Sequence, residues 1–148
     1  MGIVQEVCRL IDGKIKYHIP KPNWDTSREY RECVDNGCDC YINIHLNSST
    51  NKSASYVEGY YYNDKSLAWT RDIVMACSKF FPNNGVHRDY KVLGQKNAVI
   101  PYAFLELGFI SNPRDLNLLL NKKREIAIAI VEVLERFSGI KVNKEIKI

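Results

Sequence analysis

Residues 98–112 read AVIPYAFLELGFISN and are followed by Pro113. Tyr102-Ala103-Phe104-Leu105 is an uninterrupted apolar run that closes on one acidic residue, Glu106, before Gly108 and Ser111-Asn112-Pro113. Near-continuous apolar runs of this length mark strands of a parallel sheet covered on both faces. Ser or Asn as cap, with proline at the first helical position, opens a helix. The expected unit is therefore a buried strand, a turn at Gly108 and a helix beyond Pro113. Ligands of open α/β sheets bind beyond the carboxyl ends of the strands, which puts Glu106 where chemistry is done. A carboxylate in that position costs free energy unless something pairs with it.

Working outward, residues 40–46 (CYINIHL) give the second strong strand, with Tyr41, Asn43 and His45 on one face and His45 at its carboxyl end. Residues 47–55 form a polar loop with four serines, and the aromatic-rich residues 56–62 form a third strand. Residues 14–19 alternate, with Ile15, Tyr17 and Ile19 on one side, and predict a further strand stopped by Pro20 and Pro22. Helical spacing covers residues 2–12, a short segment opened by Thr26-Ser27-Arg28-Glu29, residues 66–81 and residues 116–137. Pro82 and Asn83-Asn84-Gly85 are expected to close the third of these, with a loop over 86–97. Strands alternating with helices predict an α/β fold, a mainly parallel sheet flanked by helices. The tail 138–148 is expected to fray or to add a short strand.

At 148 residues the chain suits one domain with a real core. No apolar run reaches the length of a membrane span, and no secretion signal is visible, so a cytoplasmic location is expected. Five cysteines without a disulfide pattern fit a reducing compartment. The net charge of +4 is mild and its lysines are spread; it would suit an anionic polymer but does not argue for nucleic acid, and no nucleic-acid partner is expected.

His45 is the best partner for Glu106: two neighbouring strands ending in polar residues bring an imidazole and a carboxylate to one rim, as a zinc or acid–base site requires. His18 ends the predicted first strand near the same rim, and His87 lies in a loop leading back to it, so either could add a ligand. Cys33, Cys38 and Cys40 match no usual zinc spacing, and Cys40 points away from His45. Small buried thiols acting as hydrophobes explain them better. Tyr60, Tyr61 and Tyr62 are expected to divide between core and solvent, with substrate stacking the weaker reading.

Four segments occur in a telling order: residues 38–48 (CDCYINIHLNS), 57–61 (VEGYY), 85–88 (GVHR) and 104–112 (FLELGFISN). Together they resemble the zinc-dependent N-acetylmuramoyl-L-alanine amidases, cell-wall hydrolases of the bacterial and phage-endolysin type, over residues 25–137. The resemblance implies an amidase-like α/β domain, peptidoglycan or muropeptide as substrate and hydrolysis of the lactyl amide joining muramic acid to the stem peptide. It assigns His45 as the third zinc ligand and Glu106 as the catalytic base that takes a proton from the attacking water. The family's first strand ends in a Gly-His-Gly-Gly type turn that supplies the first ligand, and a glutamate opening its first helix supplies the second. Neither has a counterpart in residues 1–24, so an N-terminally truncated or degenerate member lacking the first strand is expected. Zinc would then be weakly held, completed by His18 or His87, or shared with another copy in a homo-oligomer. An endolysin of this kind would meet the wall after release by a holin. The alternative is an inactive remnant that binds muropeptide or protein.

Overall fold

The computed structural model describes residues 2–144. Its centre is a sheet of four strands, β1 (Tyr41–Asn47), β2 (Val57–Tyr61), β3 (Asn83–Arg88) and β4 (Tyr102–Phe109), in the order β1-β4-β2-β3. β1 runs parallel to β4, β2 is antiparallel to β4, and β3 is parallel to β2. The expected α/β class holds, with one antiparallel pairing in a sheet otherwise parallel. The apolar run of residues 102–105 is the heart of β4, between two other strands, as its composition demands.

Five helices surround the sheet: α1 (Ile3–Ile11), α2 (Thr26–Asp35), α3 (Leu67–Cys77), α4 (Pro113–Asn121) and α5 (Lys123–Ser138). α4 opens as expected, with Pro113 in the first turn and the Asn112 side chain accepting from the backbone N–H groups of Arg114 and Asp115. α2 is capped by Asp25, whose carboxylate accepts from Ser27 N, one residue ahead of the predicted Thr26 cap. Residues 116–137 make two helices, broken at Lys122.

The sheet's two faces differ. Leu105, Leu107 and Val57, none with measurable exposure, point toward Ile73, Val74 and Cys77 of α3, Ile126 and Ile130 of α5, and Val7, Leu10 and Ile11 of α1. Burying one such side chain contributes roughly 1.5–3 kcal/mol. Gly59 lies on this face because α3 crosses closely: a Cβ there would fall 2.5 Å from the Thr70 methyl and 2.8 Å from a Val74 methyl. The opposite face is covered only in part. At its lower end Tyr30 and Cys33 of α2 pack on Tyr41, Tyr102 and Phe104, with the three tyrosine rings 4.7–5.6 Å apart. Its upper end, at the carboxyl ends of β1 and β4, is left to polar side chains.

Three expectations need correction. Residues 14–19 form no strand: no described strand lies beside them, Tyr17 and Ile19 are exposed, and only Ile15 reaches the core. Alternation made the segment look like a strand, but a strand also needs a neighbour. Residues 83–88, read as turn and loop, form β3. Gly85 adopts φ +82° where the register to β2 shifts, so residues with turn chemistry are absorbed by a bulge on an edge strand. The tail leaves α5 at Gly139 without regular structure to residue 144, yet it is anchored: buried Glu135 accepts from Val142 N at 2.8 Å and pairs with Lys144 at 2.7 Å. Residues 145–148 of that expected tail lie outside the described residues. Among the described residues no helix is long and apolar enough to cross a membrane.

Candidate active site

Cross-strand register builds the site. His45 is the Cα partner of Glu106 on one side, and Glu58 is its partner on the other. Paired positions on neighbouring strands share a face, so β1, β4 and β2 present an imidazole and two carboxyls in one row. The His45 ring stacks on Phe104 with centroids 4.5 Å apart and planes 15° from parallel. Desolvation against the sheet lowers its pKa from the ordinary value, opposed by the charge of Glu29. The lowered value favours the neutral ring, the form that can accept a proton or ligate a metal.

Glu106 is mostly enclosed, with 14% of its side chain exposed. Asn47 Nδ2 donates to its Oε2, and Lys91 Nζ stands 3.7 Å from its Oε1. Its pKa is raised, first by burial and then by the neighbouring Glu58 carboxyl, with Lys91 pulling in the opposite direction. Glu58, 4% exposed, is held by three side chains: the Tyr60 hydroxyl donates to Oε1 at 3.1 Å, Asn84 Nδ2 donates to Oε2 at 2.8 Å, and His87 Nε2 lies 3.2 Å from Oε2. The His87 contact is poorly aligned, leaving Nε2 buried without a hydrogen bond. Burial and Glu58 push the Tyr60 hydroxyl up to about 12, so it stays a donor.

The rim is fixed from behind. Asp115, fully buried in α4, accepts from the Phe109 backbone at 2.9 Å and from the Ser55 hydroxyl at 2.7 Å, tying the polar loop 47–55 to the end of β4. Gly108, at φ +70°, turns the chain where a Cβ would strike the Phe81 ring at 2.6 Å.

The sequence-predicted residues thus separate. His45 and Glu106 are brought together in register. His87 reaches the same face two strands away, against Glu58. His18 does not join them: it pairs with Glu32 of α2 at 2.9 Å. Cys33 is buried against the His18 carbonyl, and burial pushes its thiol up to about 12, the behaviour of a small hydrophobe. Glu58, Lys91 and Asn47 received no role from the sequence. A signal for Glu58 exists, since a lone carboxylate inside the aromatic strand 57–61 needs partners as much as Glu106 does.

The model of the N-acetylmuramoyl-L-alanine amidase family matches residues 21–136, more than three quarters of the chain. The chain belongs to this amidase family. A probable cell wall amidase, LytH of Staphylococcus saprophyticus, is 34% identical over 104 residues, 67% of this chain and 35% of the relative. LytH of Staphylococcus aureus is 31% identical over 102 residues. The chain thus spans about a third of the length of the curated relatives it matches. Solved structures share the amidase fold at low identity. The catalytic domain of CwlV, an N-acetylmuramoyl-L-alanine amidase from Bacillus (Paenibacillus) polymyxa, superimposes with TM-score 0.76 at 16% identity, over 94% of this chain and 82% of that one. The amidase AmiC2 of Nostoc punctiforme gives TM-score 0.77 at 16% identity, over 93% and 81%. The matched residues 21–136 contain every residue of the polar rim, from His45 to Glu106.

Proposed function

We propose that this chain hydrolyses an amide bond of peptidoglycan, the one between N-acetylmuramic acid and the L-alanine of the stem peptide, with Glu106 as general base and then general acid. The observation that carries this reading is Glu106 itself. It is enclosed in the carboxyl-terminal half of β4, an inner strand, in register with His45 and Glu58, and its raised pKa suits a group that must both take and return a proton. Family membership supplies the substrate class.

In this mechanism Asn47 fixes one Glu106 oxygen by donating to it, leaving Oε1 to receive a proton from the attacking water. Glu58, opposite, makes Glu106 a better base than an ordinary carboxylate by adding negative charge beside it. The proton then passes from Glu106 to the leaving nitrogen as the C–N bond breaks.

Zinc is a separate question. Among the described residues no three His, Cys, Asp or Glu side chains converge as an ion would require. His45 and Glu106 therefore do not by themselves fit a zinc site, which takes three protein ligands or more. An ion held at His45 would need ligands from beyond the described residues or from a second copy, and would supply Lewis-acid activation.

The test is product identity. Purified protein incubated with peptidoglycan should release stem peptides with a free L-alanine amino terminus and leave glycan carrying free lactyl carboxylates, both read by mass spectrometry. Cleavage at a peptide bond within the stem, or none with or without added zinc, would overturn the assignment.

A further inference from the structure

The amide carbonyl attacked by a Glu106-activated water gains negative charge on its oxygen, and the catalytic benefit of a fixed positive group at that point is large. Lys91 stands there. Its ammonium is 3.7 Å from Glu106 Oε1, too long for a direct hydrogen bond, and 4.6 Å from the centroid of the Tyr60 ring. The ring is itself held, since the Tyr60 hydroxyl donates to Glu58. The lysine has three donors and the structure commits none of them at hydrogen-bond distance to the carboxylate it faces.

The loop that carries Lys91 is built, not merely draped. Gln95, 1% exposed, accepts from Lys91 N through Oε1 at 2.7 Å and donates from Nε2 to the Tyr60 carbonyl at 3.0 Å. One buried amide thus clamps the backbone at Lys91 to the backbone at Tyr60. Burying an amide is costly unless both of its ends are satisfied, as they are here. The clamp uses only backbone atoms of Lys91, so the side chain is free for a purpose other than holding the loop.

We infer that Lys91 is a further catalytic residue, whose ammonium, placed by the Gln95 clamp and the Tyr60 ring, binds the substrate's amide oxygen and stabilises the oxyanion formed next to Glu106. The water oxygen bonds to the carbonyl carbon, its proton goes to Glu106, and the carbonyl electron pair moves onto the oxygen facing Lys91. The C=O then re-forms, the C–N bond breaks, and Glu106 returns the proton to the nitrogen. Lys91 stays protonated throughout. The inference rests on the amide-hydrolase reading proposed above.

The experiment compares wild type, Lys91→Met and Lys91→Arg on an N-acetylmuramoyl-L-alanyl peptide and on its phosphinate isostere, a tetrahedral anion resembling the oxyanion. Lys91→Met is expected to lower kcat about 100-fold while KM changes less than about threefold, because the contact strengthens only as charge develops. Lys91→Arg keeps the charge and restores part of the rate. By calorimetry, the isostere should bind wild type more tightly than the peptide does, and Lys91→Met should lose that preference. Unchanged or faster turnover in Lys91→Met, with isostere affinity intact, overturns the inference and makes the lysine only a restraint on Glu106. Equal turnover of the peptide by all three proteins overturns the inference alone and leaves the amidase reading standing. Wild type that neither cleaves the peptide nor binds the isostere defeats both.

Discussion

The two faces of β4 are one residue apart in sequence and opposite in purpose. Leu105 and Leu107 point into an apolar core closed by α1, α3 and α5. Glu106, between them, points to a rim of Asn47, Glu58, Lys91 and His45. The contrast shows how an otherwise apolar strand can carry an enclosed carboxyl: the side chains on the helix face supply burial, and the polar face keeps one carboxyl that other strands must satisfy. Stability should therefore reside on one face and chemistry on the other, and substitutions at adjacent positions should separate the two.

The largest expected effect is on the polar face. Glu106→Gln should lower turnover by about 10²–10⁴-fold, the usual worth of a general base. It should leave the denaturation midpoint unchanged or raised, since a carboxyl beside Glu58 is traded for a neutral amide. Next, on the opposite face, Leu105→Ala should cost about 2–5 kcal/mol in urea unfolding, with the usual transfer and cavity contributions. Its kcat should be unchanged under conditions where it is folded. Gly59→Ala, which sets a methyl against Thr70 and Val74, should cost about 1–3 kcal/mol by overpacking. Loss of turnover in folded Leu105→Ala, or marked unfolding in Glu106→Gln, would erase the distinction between the faces.

A smaller effect sharpens it. Because the Glu106 pKa is raised, the acid limb of kcat/KM should fall above pH 4.5, the ordinary carboxyl value. Glu58→Gln removes the second-largest cause of that rise and should move the limb toward lower pH. The sign for stability is the reverse of the usual carboxylate case. The protonated form is favoured in the folded chain, so the contribution of Glu106 is present in full below pH 4.5 and is lost as pH rises through the raised value. Glu106→Gln should abolish that part of the pH dependence.

What could be read from the sequence follows the range of the interactions. β4, β1 and the start of α4 declare themselves through local composition: an apolar run, an alternating strand with His45 at its end, and an Asn-Pro helix opening. The motifs around His45 and Glu106 led to the family for the same reason. Residues 14–19 and 83–88 mislead in opposite directions. The first alternates but has no strand to pair with, and the second carries turn residues but finds β2 beside it. Pairing is not a local property, and neither is the composition of the rim. Glu58 meets Glu106 through an antiparallel register between strands nearly fifty positions apart, and Lys91 arrives there because Gln95 clamps its loop to Tyr60. His18 looked like a rim residue only as long as a strand was expected to carry it; Glu32 takes it instead.

The role proposed for Glu106, on the polar face, is hydrolysis of the muramoyl–alanine amide. It is tested most directly by the rate of amino-group release from a defined N-acetylmuramoyl-L-alanyl peptide, for wild type and Glu106→Gln at the same pH, with circular dichroism confirming that both are folded. Release by wild type and a loss of about 100-fold or more in the variant is the predicted result. Equal rates in the two proteins would contradict it.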